Sequence, residues 1–179
     1  MLFSEVIRLS SPFRYLAISL LMIRIGFGFD THKLEFDHEF WLGGILIPHP
    51  KGATGHSDAD TLIHAIIDAL LGASGLGDIG NQFPDTANEF KGIDSKVLLT
   101  RTIEMIGTKG FVIGNIDATI VLQSPKICSQ IPLMVETLAK VMKIATDQIS
   151  IKAKTSEKLG FIGREEGISA YAVALIEKR

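Results

Sequence analysis

GHSDADTLIHAIIDALLGASGLGDIGNQFPDT, residues 55–86, carries the clearest helix of the chain. Leu62, Ile66, Ala69 and Leu70 recur at the spacing that gathers apolar side chains on one helical face. Ser57 or Asp58 is the expected N-cap, a short side chain able to accept from free backbone N–H groups, and the early acids suit the positive end of the helix. Gly72 to Gly77 supplies the stop. Residues 78–86 then read as a long loop.

Upstream, residues 23–29 alternate apolar with small or polar side chains, the pattern of a strand, and run into Asp30-Thr31-His32. Residues 41–47 read as a second strand with Gly43-Gly44 as a bulge or close backbone approach, and 48–55 as a loop. Downstream, Asp94 or Ser95 caps a helix with Leu99, Ile103 and Ile106 on its buried stripe, closed by Lys109-Gly110. Residues 111–122 form a strand pattern with Ile116, Ala118, Ile120 and Leu122 on one face. A turn at Ser124-Pro125-Lys126, a helix over 131–142, a strand over 149–153, a Gly-containing loop over 154–167 and a strand over 168–176 complete the chain. Mixed helices and strands without a repeat predict a two-layer α/β (α+β) domain over 23–179, a mixed β-sheet with helices packed on one face.

Residues 1–22 stand apart from this pattern. Their apolar stretch, 15–23, is shorter than the roughly 20 residues that span a bilayer, and they lack a small-residue cleavage pattern. They read as a dispensable extension, with translation starting at Met22. Arg8, Arg14 and several serines beside a single acid also fit a transit peptide.

The 179 residues are 46% hydrophobic and 21% charged, the mix of a packed globular core rather than a disordered chain. The net charge of −2 lacks the basic excess of a nucleic-acid binder, so no nucleic-acid partner is expected, and no membrane partner either. With one cysteine, Cys128, neither an intramolecular disulfide nor a thiolate metal knuckle can form.

Three constellations carry chemistry. Asp30-x-His32 at a strand end places a carboxylate and an imidazole on one face, either as metal ligands or as a surface turn. Asp60, His64 and Asp68 recur every four residues, either a solvated charged face or a source of a third ligand, His64, with the acids in supporting roles. His56 precedes the helix, where an anion meets free N–H groups. Residues 154–164, KTSEKLGFIGR, mix hydroxyls, lysines, a carboxylate and glycines, as a polar surface loop or a phosphate and cation cradle. No GxxxxGK[ST] loop occurs, and Gly26-Phe27-Gly28 does not complete GxGxxG.

Four stretches together, RIGFGFDTH at 24–32, the segment 55–86, NIDATIVLQSPK at 115–126 and TSEKLGFIGREEGI at 155–168, resemble the 2-C-methyl-D-erythritol 2,4-cyclodiphosphate synthase family of the non-mevalonate isoprenoid pathway. The resemblance spans about residues 23–177. It implies a phosphorus–oxygen lyase. The 2-phosphate of 4-diphosphocytidyl-2-C-methyl-D-erythritol 2-phosphate attacks the β-phosphorus and CMP leaves.

By that resemblance Asp30, His32 and His64 hold Zn2+, and Glu157 holds a second cation, Mg2+ or Mn2+. His56 and Thr155 stabilise developing phosphate charge, with Ser57 touching phosphate beside His56. Asp78, Ile79, Gly80, Phe83, Pro84, Asp85 and Thr86 hold the methylerythritol unit, Asp85 through its hydroxyls. Pro125, Lys126, Ile127, Ala153 and Lys154 form the cytidine pocket, while Ser156 adds a substrate contact. Phe161 and Arg164 complete the substrate-binding set, Arg164 pairing with Glu166 in a central cavity. The resemblance further implies a homotrimer with active sites between subunits, the three sheets lining its centre and an isoprenoid diphosphate in the cavity. The compartment it implies is the cytoplasm, or the plastid stroma if the extension is a transit peptide. Lys154 departs from the small hydroxyl residue often found beside the nucleotide and adds a cation there; Phe27 replaces a polar residue and fits the strand's alternation. Two rival classes remain: a metal-dependent phosphohydrolase that uses zinc to activate water, and a non-enzymatic trimeric scaffold for isoprenoid phosphates, which would need loss of the ligand set although Asp30, His32, His64 and Glu157 are all present.

Overall fold

The computed structural model describes residues 22–179; the segment 1–21, and with it the expected extension, lies outside the described residues. Alternation in the first strand is the key to the architecture. β1 (Ile23–Phe36) turns Gly26, Gly28, Asp30, His32 and Leu34 to one face and Ile25, Phe27 and Phe29 to the other. The glycine face is the one that α1 (Thr61–Ser74) covers. A Cβ at Gly26 would lie 1.9 Å from the Ala69 carbonyl oxygen, and one at Gly28 2.0 Å from that of Ala65. Only glycine admits a helix backbone this close.

The sheet is mixed and five-stranded, in the order β4-β1-β7-β5-β6. β4 (Lys51–Thr54), β7 (Gly167–Lys178) and β5 (Phe111–Val121) make antiparallel ladders, and β6 (Ile149–Lys154) runs parallel to β5. The buried row of β7 under α1 is small, Ala170, Ala172 and Ala174, which continues the shallow bed laid by the glycines. α3 (Ser95–Thr108) packs on α1, and α4 (Ile131–Met142) bridges α3 and β6. Helices thus cover one face, as the sequence predicts. The opposite face carries exposed apolar side chains, with Ile25 70% and Phe27 64% accessible and Phe29 and Tyr171 in ring contact at 5.1 Å.

Several boundaries differ from the sequence reading. Residues 41–47 are a tight hairpin, β2 (Trp41–Leu42) and β3 (Ile45–Leu46), because Gly43 and Gly44 both take positive φ, 63° and 79°, and close a turn instead of bulging. The expected loop 48–55 contains β4, whose pairing with β1 is a tertiary choice that Lys-Gly-Ala-Thr does not announce. The first strand continues past His32 to Phe36. The N-cap of α1 is Asp60, not Ser57 or Asp58: its carboxylate accepts from Ile63 N at 3.0 Å and from the hairpin amides of Gly43 and Gly44 at 2.9 and 2.6 Å. The solvated-face reading of Asp60, His64 and Asp68 also fails, since Asp60 and His64 are buried. The long loops contain single turns of helix, α2 (Ile79–Gln82) and α5 (Gly160–Gly163).

Candidate metal and phosphate site

Strand alternation carries Asp30 and His32 along the same face as Gly26 and Gly28, one step beyond the helix contact. The glycines meet Ala69 and then Ala65, so the helix runs opposite to the strand and brings its first turn, which carries His64, toward Asp30 and His32. The three side chains converge. Asp30 Oδ2 lies 2.9 Å from His32 Nε2 and 3.0 Å from His64 Nδ1, and the two imidazole nitrogens are 3.1 Å apart. Bonds of about 2.0–2.1 Å in a tetrahedral zinc centre set ligand atoms about 3.3 Å apart, so this triangle fits such an ion with little adjustment.

Each imidazole is oriented through its other nitrogen. His32 Nδ1 lies 2.9 Å from the Thr54 carbonyl oxygen on β4, which requires an N–H there, so in the neutral ring Nε2 is the nitrogen left free to take a metal. His64 Nε2 meets Ser95 Oγ at 2.9 Å and Ser57 Oγ at 3.1 Å. Burial pushes the Asp30 carboxyl up, but hydrogen bonds from His32 and His64, with their positive charge, outweigh it and hold the group well below the usual carboxylate range. Burial pulls the His32 imidazole down, and the Asp30 hydrogen bond and charge more than reverse that. Two imidazoles and a carboxylate, with no fourth side chain among the described residues, make the donor set of an open, catalytic-type metal site.

Ahead of α1, His56 Nε2 lies 3.7 Å from Asp85 Oδ2, both side chains largely exposed. Residues 78–82 are held from the helix: Asp68 accepts from Ile79 N at 2.8 Å, and Asp78 caps α2 through Asn81 N at 2.8 Å. Burial pushes the Asp68 carboxyl up, and the nearby Asp78 and Asp30 charges add to this against the Ile79 bond. Phe83 packs edge-on against Phe90 at 5.5 Å. Gly80 lies within α2, while Pro84, Asp85 and Thr86 follow it on the surface.

The remaining predicted residues gather elsewhere. The ends of β5 and β6 bring the 124–127 turn beside the 154–158 segment, tied by Leu122 N to Lys154 O at 2.9 Å and Lys158 N to Gln123 Oε1 at 3.2 Å. Ile127 is buried there, Pro125 and Ala153 are half-buried, and Lys126 and Lys154 are exposed. Thr155 Oγ1 donates to Glu157 Oε1 at 2.6 Å, and Ser156 Oγ donates to Leu159 O at 2.8 Å. Arg164 forms a two-bond pair with Glu166, at 3.0 and 2.9 Å, near the exposed Phe161. Asp30, Ala170, Ile120 and Ala153 occupy one row across the sheet, so three strand spacings, about 14 Å, separate the two groups. Within one chain, Glu157 and Thr155 are not brought to the triad.

Asp58 and Ser95 escape the sequence reading as site residues, because hydroxyls and N-terminal acids of helices carry no ligand signal. The family match settles the kinship: the sequence profile of the YgbB family matches residues 23–177.

The chain belongs to the YgbB family. A YgbB-type relative from Bacteroides thetaiotaomicron, named 2-C-methyl-D-erythritol 2,4-cyclodiphosphate synthase, is 62% identical over 158 residues, covering 88% of this chain and 99% of its own. Among solved structures, the bifunctional IspDF from Campylobacter jejuni superposes with a TM-score of 0.86 at 35% identity; it covers 93% of this chain, which spans 48% of that longer one. A CDP-bound 2C-methyl-D-erythritol-2,4-cyclodiphosphate synthase superposes with a TM-score of 0.80 at 38% identity, covering 86% of this chain and 99% of its own. Among the described residues of this YgbB-family chain, no helix is long and apolar enough to cross a membrane.

Proposed function

We propose that residues 23–179 are one catalytic domain that converts 4-diphosphocytidyl-2-C-methyl-D-erythritol 2-phosphate to 2-C-methyl-D-erythritol 2,4-cyclodiphosphate and CMP. The single observation that carries this reading is the convergence of Asp30, His32 and His64 within 3.1 Å of one another, in a chain most of whose length matches named synthases. An oxygen of the 2-phosphate bonds to the β-phosphorus, and the bond from that phosphorus to the oxygen bridging toward the α-phosphate breaks. The electron pair leaves with CMP, and no water is consumed.

The difficulty is electrostatic, since an anion attacks an anion, and positioning plus charge neutralisation supply the catalysis. Zn2+ at Asp30, His32 and His64, and Mg2+ or Mn2+ at Glu157, would supply Lewis-acid stabilisation of phosphate charge. His56, Ser57 and Thr155 bind phosphate oxygens. Asp85 and the amides of α2 orient the methylerythritol hydroxyls, which bends the substrate toward ring closure. Pro125, Lys126, Ile127, Ala153 and Lys154 hold the cytidine end, in keeping with CDP in the related structure. Ser156, Phe161 and Arg164 complete the substrate surroundings.

The roughly 14 Å across the sheet from Asp30 to Ala153, at the base of the loop that carries Glu157, supports a site shared between subunits. The exposed apolar face of Ile25, Phe27, Phe29, Tyr171 and Val173 supports the homotrimer that would bring the two halves together, with the sheets at its centre. An isoprenoid diphosphate in the cavity would find its cationic partner in Arg164. The bacterial relatives favour a cytoplasmic setting over a plastid one. Phosphorus NMR of the purified protein with substrate, zinc and magnesium tests the reading. It predicts cyclic diphosphate and CMP in equal amounts; orthophosphate or open products contradict it.

A further inference from the structure

We propose that Asp58 and Ser95 form a positioning relay that fixes His64 as a metal ligand through Nδ1. The inference rests on the metal-site reading of Asp30, His32 and His64 and deepens it.

Ser95 is wholly buried at the first position of α3, where a hydroxyl has no capping duty, because Asp94 already caps the helix by accepting from Lys96 N at 2.8 Å. Its groups are instead divided between two partners. Its amide donates to Asp58 Oδ2 at 2.9 Å and its hydroxyl to Asp58 Oδ1. The hydroxyl has one proton, and the carboxylate, the stronger acceptor, takes it. Only lone pairs then remain for His64 Nε2, 2.9 Å away. His64 must therefore donate from Nε2, so in the neutral ring that a metal would bind, Nδ1 is the unprotonated nitrogen, and it faces Asp30 and His32. Ser57 Oγ meets the same nitrogen at 3.1 Å but is tied to no carboxylate, so it does not impose this direction. The negative end of the chain Asp58–Ser95–His64 also raises the basicity of the ligating nitrogen.

Zinc affinity tests the relay. Wild type, Ser95→Ala, Ser95→Thr and Asp58→Asn are stripped of metal and titrated with zinc against a chromogenic chelator. Ser95→Ala removes the hydroxyl. Asp58→Asn removes the charge and leaves one acceptor oxygen for two Ser95 donors, so the hydroxyl loses its strong carboxylate acceptor. Both should bind zinc about 10–100-fold more weakly than wild type, the usual cost of losing such a support. Ser95→Thr keeps the hydroxyl and should recover most of the affinity. In the zinc-loaded wild type, the His64 Nε2 proton should give a slowly exchanging NMR signal that Ser95→Ala loses. Wild-type affinity and an unchanged proton signal in Ser95→Ala and Asp58→Asn would overturn the relay while leaving the metal site standing. A wild type that binds no zinc would overturn the metal reading and the relay with it. If Ser95→Ala does not fold, Asp58→Ala, which leaves the Ser95 hydroxyl no acceptor at that position, decides the matter by the same two readouts.

Discussion

Oδ2 of Asp30 lies 3.0 Å from Nδ1 of His64, across the seam between a strand and the helix laid over it. That distance depends on two residues with no side chains. Gly26 and Gly28 let the α1 backbone rest on β1, and the approach delivers His64 to the strand's acid and imidazole.

Gly28→Ala should therefore damage fold and site together. Its Cβ would fall 2.0 Å from the Ala65 carbonyl and 2.6 Å from the Ala69 amide, neither of which can move alone. A destabilisation of about 1–3 kcal/mol, the usual range for overpacking, should appear in urea unfolding. Zinc affinity should fall with it, because the helix that carries His64 is displaced.

His64→Ala removes a donor and leaves an incomplete set. Loss of a ligand should weaken zinc by at least the roughly 100-fold upper cost of losing a supporting contact. Turnover should become undetectable, while circular dichroism keeps its wild-type shape. Full zinc content in His64→Ala, measured by atomic emission, would refute the ligand assignment.

Asp68→Asn should change how stability depends on pH. The folded carboxyl is raised above its ordinary 3.8, so its favourable contribution is complete below that value and is lost as pH rises through the raised one. An asparagine keeps an acceptor for Ile79 N and carries no charge. The stability of the variant relative to wild type should accordingly increase from below pH 3.8 upward and level off above the raised value. Urea midpoints across pH 3–7 check this, and a flat difference would contradict it.

Two inactive variants should rescue each other if the site is shared. A subunit carrying Glu157→Ala keeps its triad, and one carrying His64→Ala keeps its β6 loop. In randomly mixed cyclic trimers about a quarter of the sites combine the two intact halves. Co-expression should restore about that fraction of activity, whereas a site built within one chain would stay dead.

Much of this was legible from residue order. Helical spacing located α1, alternation located β1 and β5, and Asp30-x-His32 announced two donors on one face. Asp60 as the cap was not legible, because its choice depends on the Gly43-Gly44 amides that it also binds. The hairpin was hidden because paired glycines serve a bulge and a turn equally until φ is known. β4 was hidden because its strand character comes from its partner. The link from Ser95 to His64 joins residues 31 positions apart by a hydroxyl, which no local pattern marks.

In the proposed reaction the substrate's own phosphate, and not water, attacks the β-phosphorus. Turnover in water enriched in oxygen-18, followed by mass spectrometry of both products, tests it most directly. Intramolecular attack leaves cyclic diphosphate and CMP free of the heavy isotope beyond natural abundance; one heavy oxygen retained in either product would show hydrolysis instead.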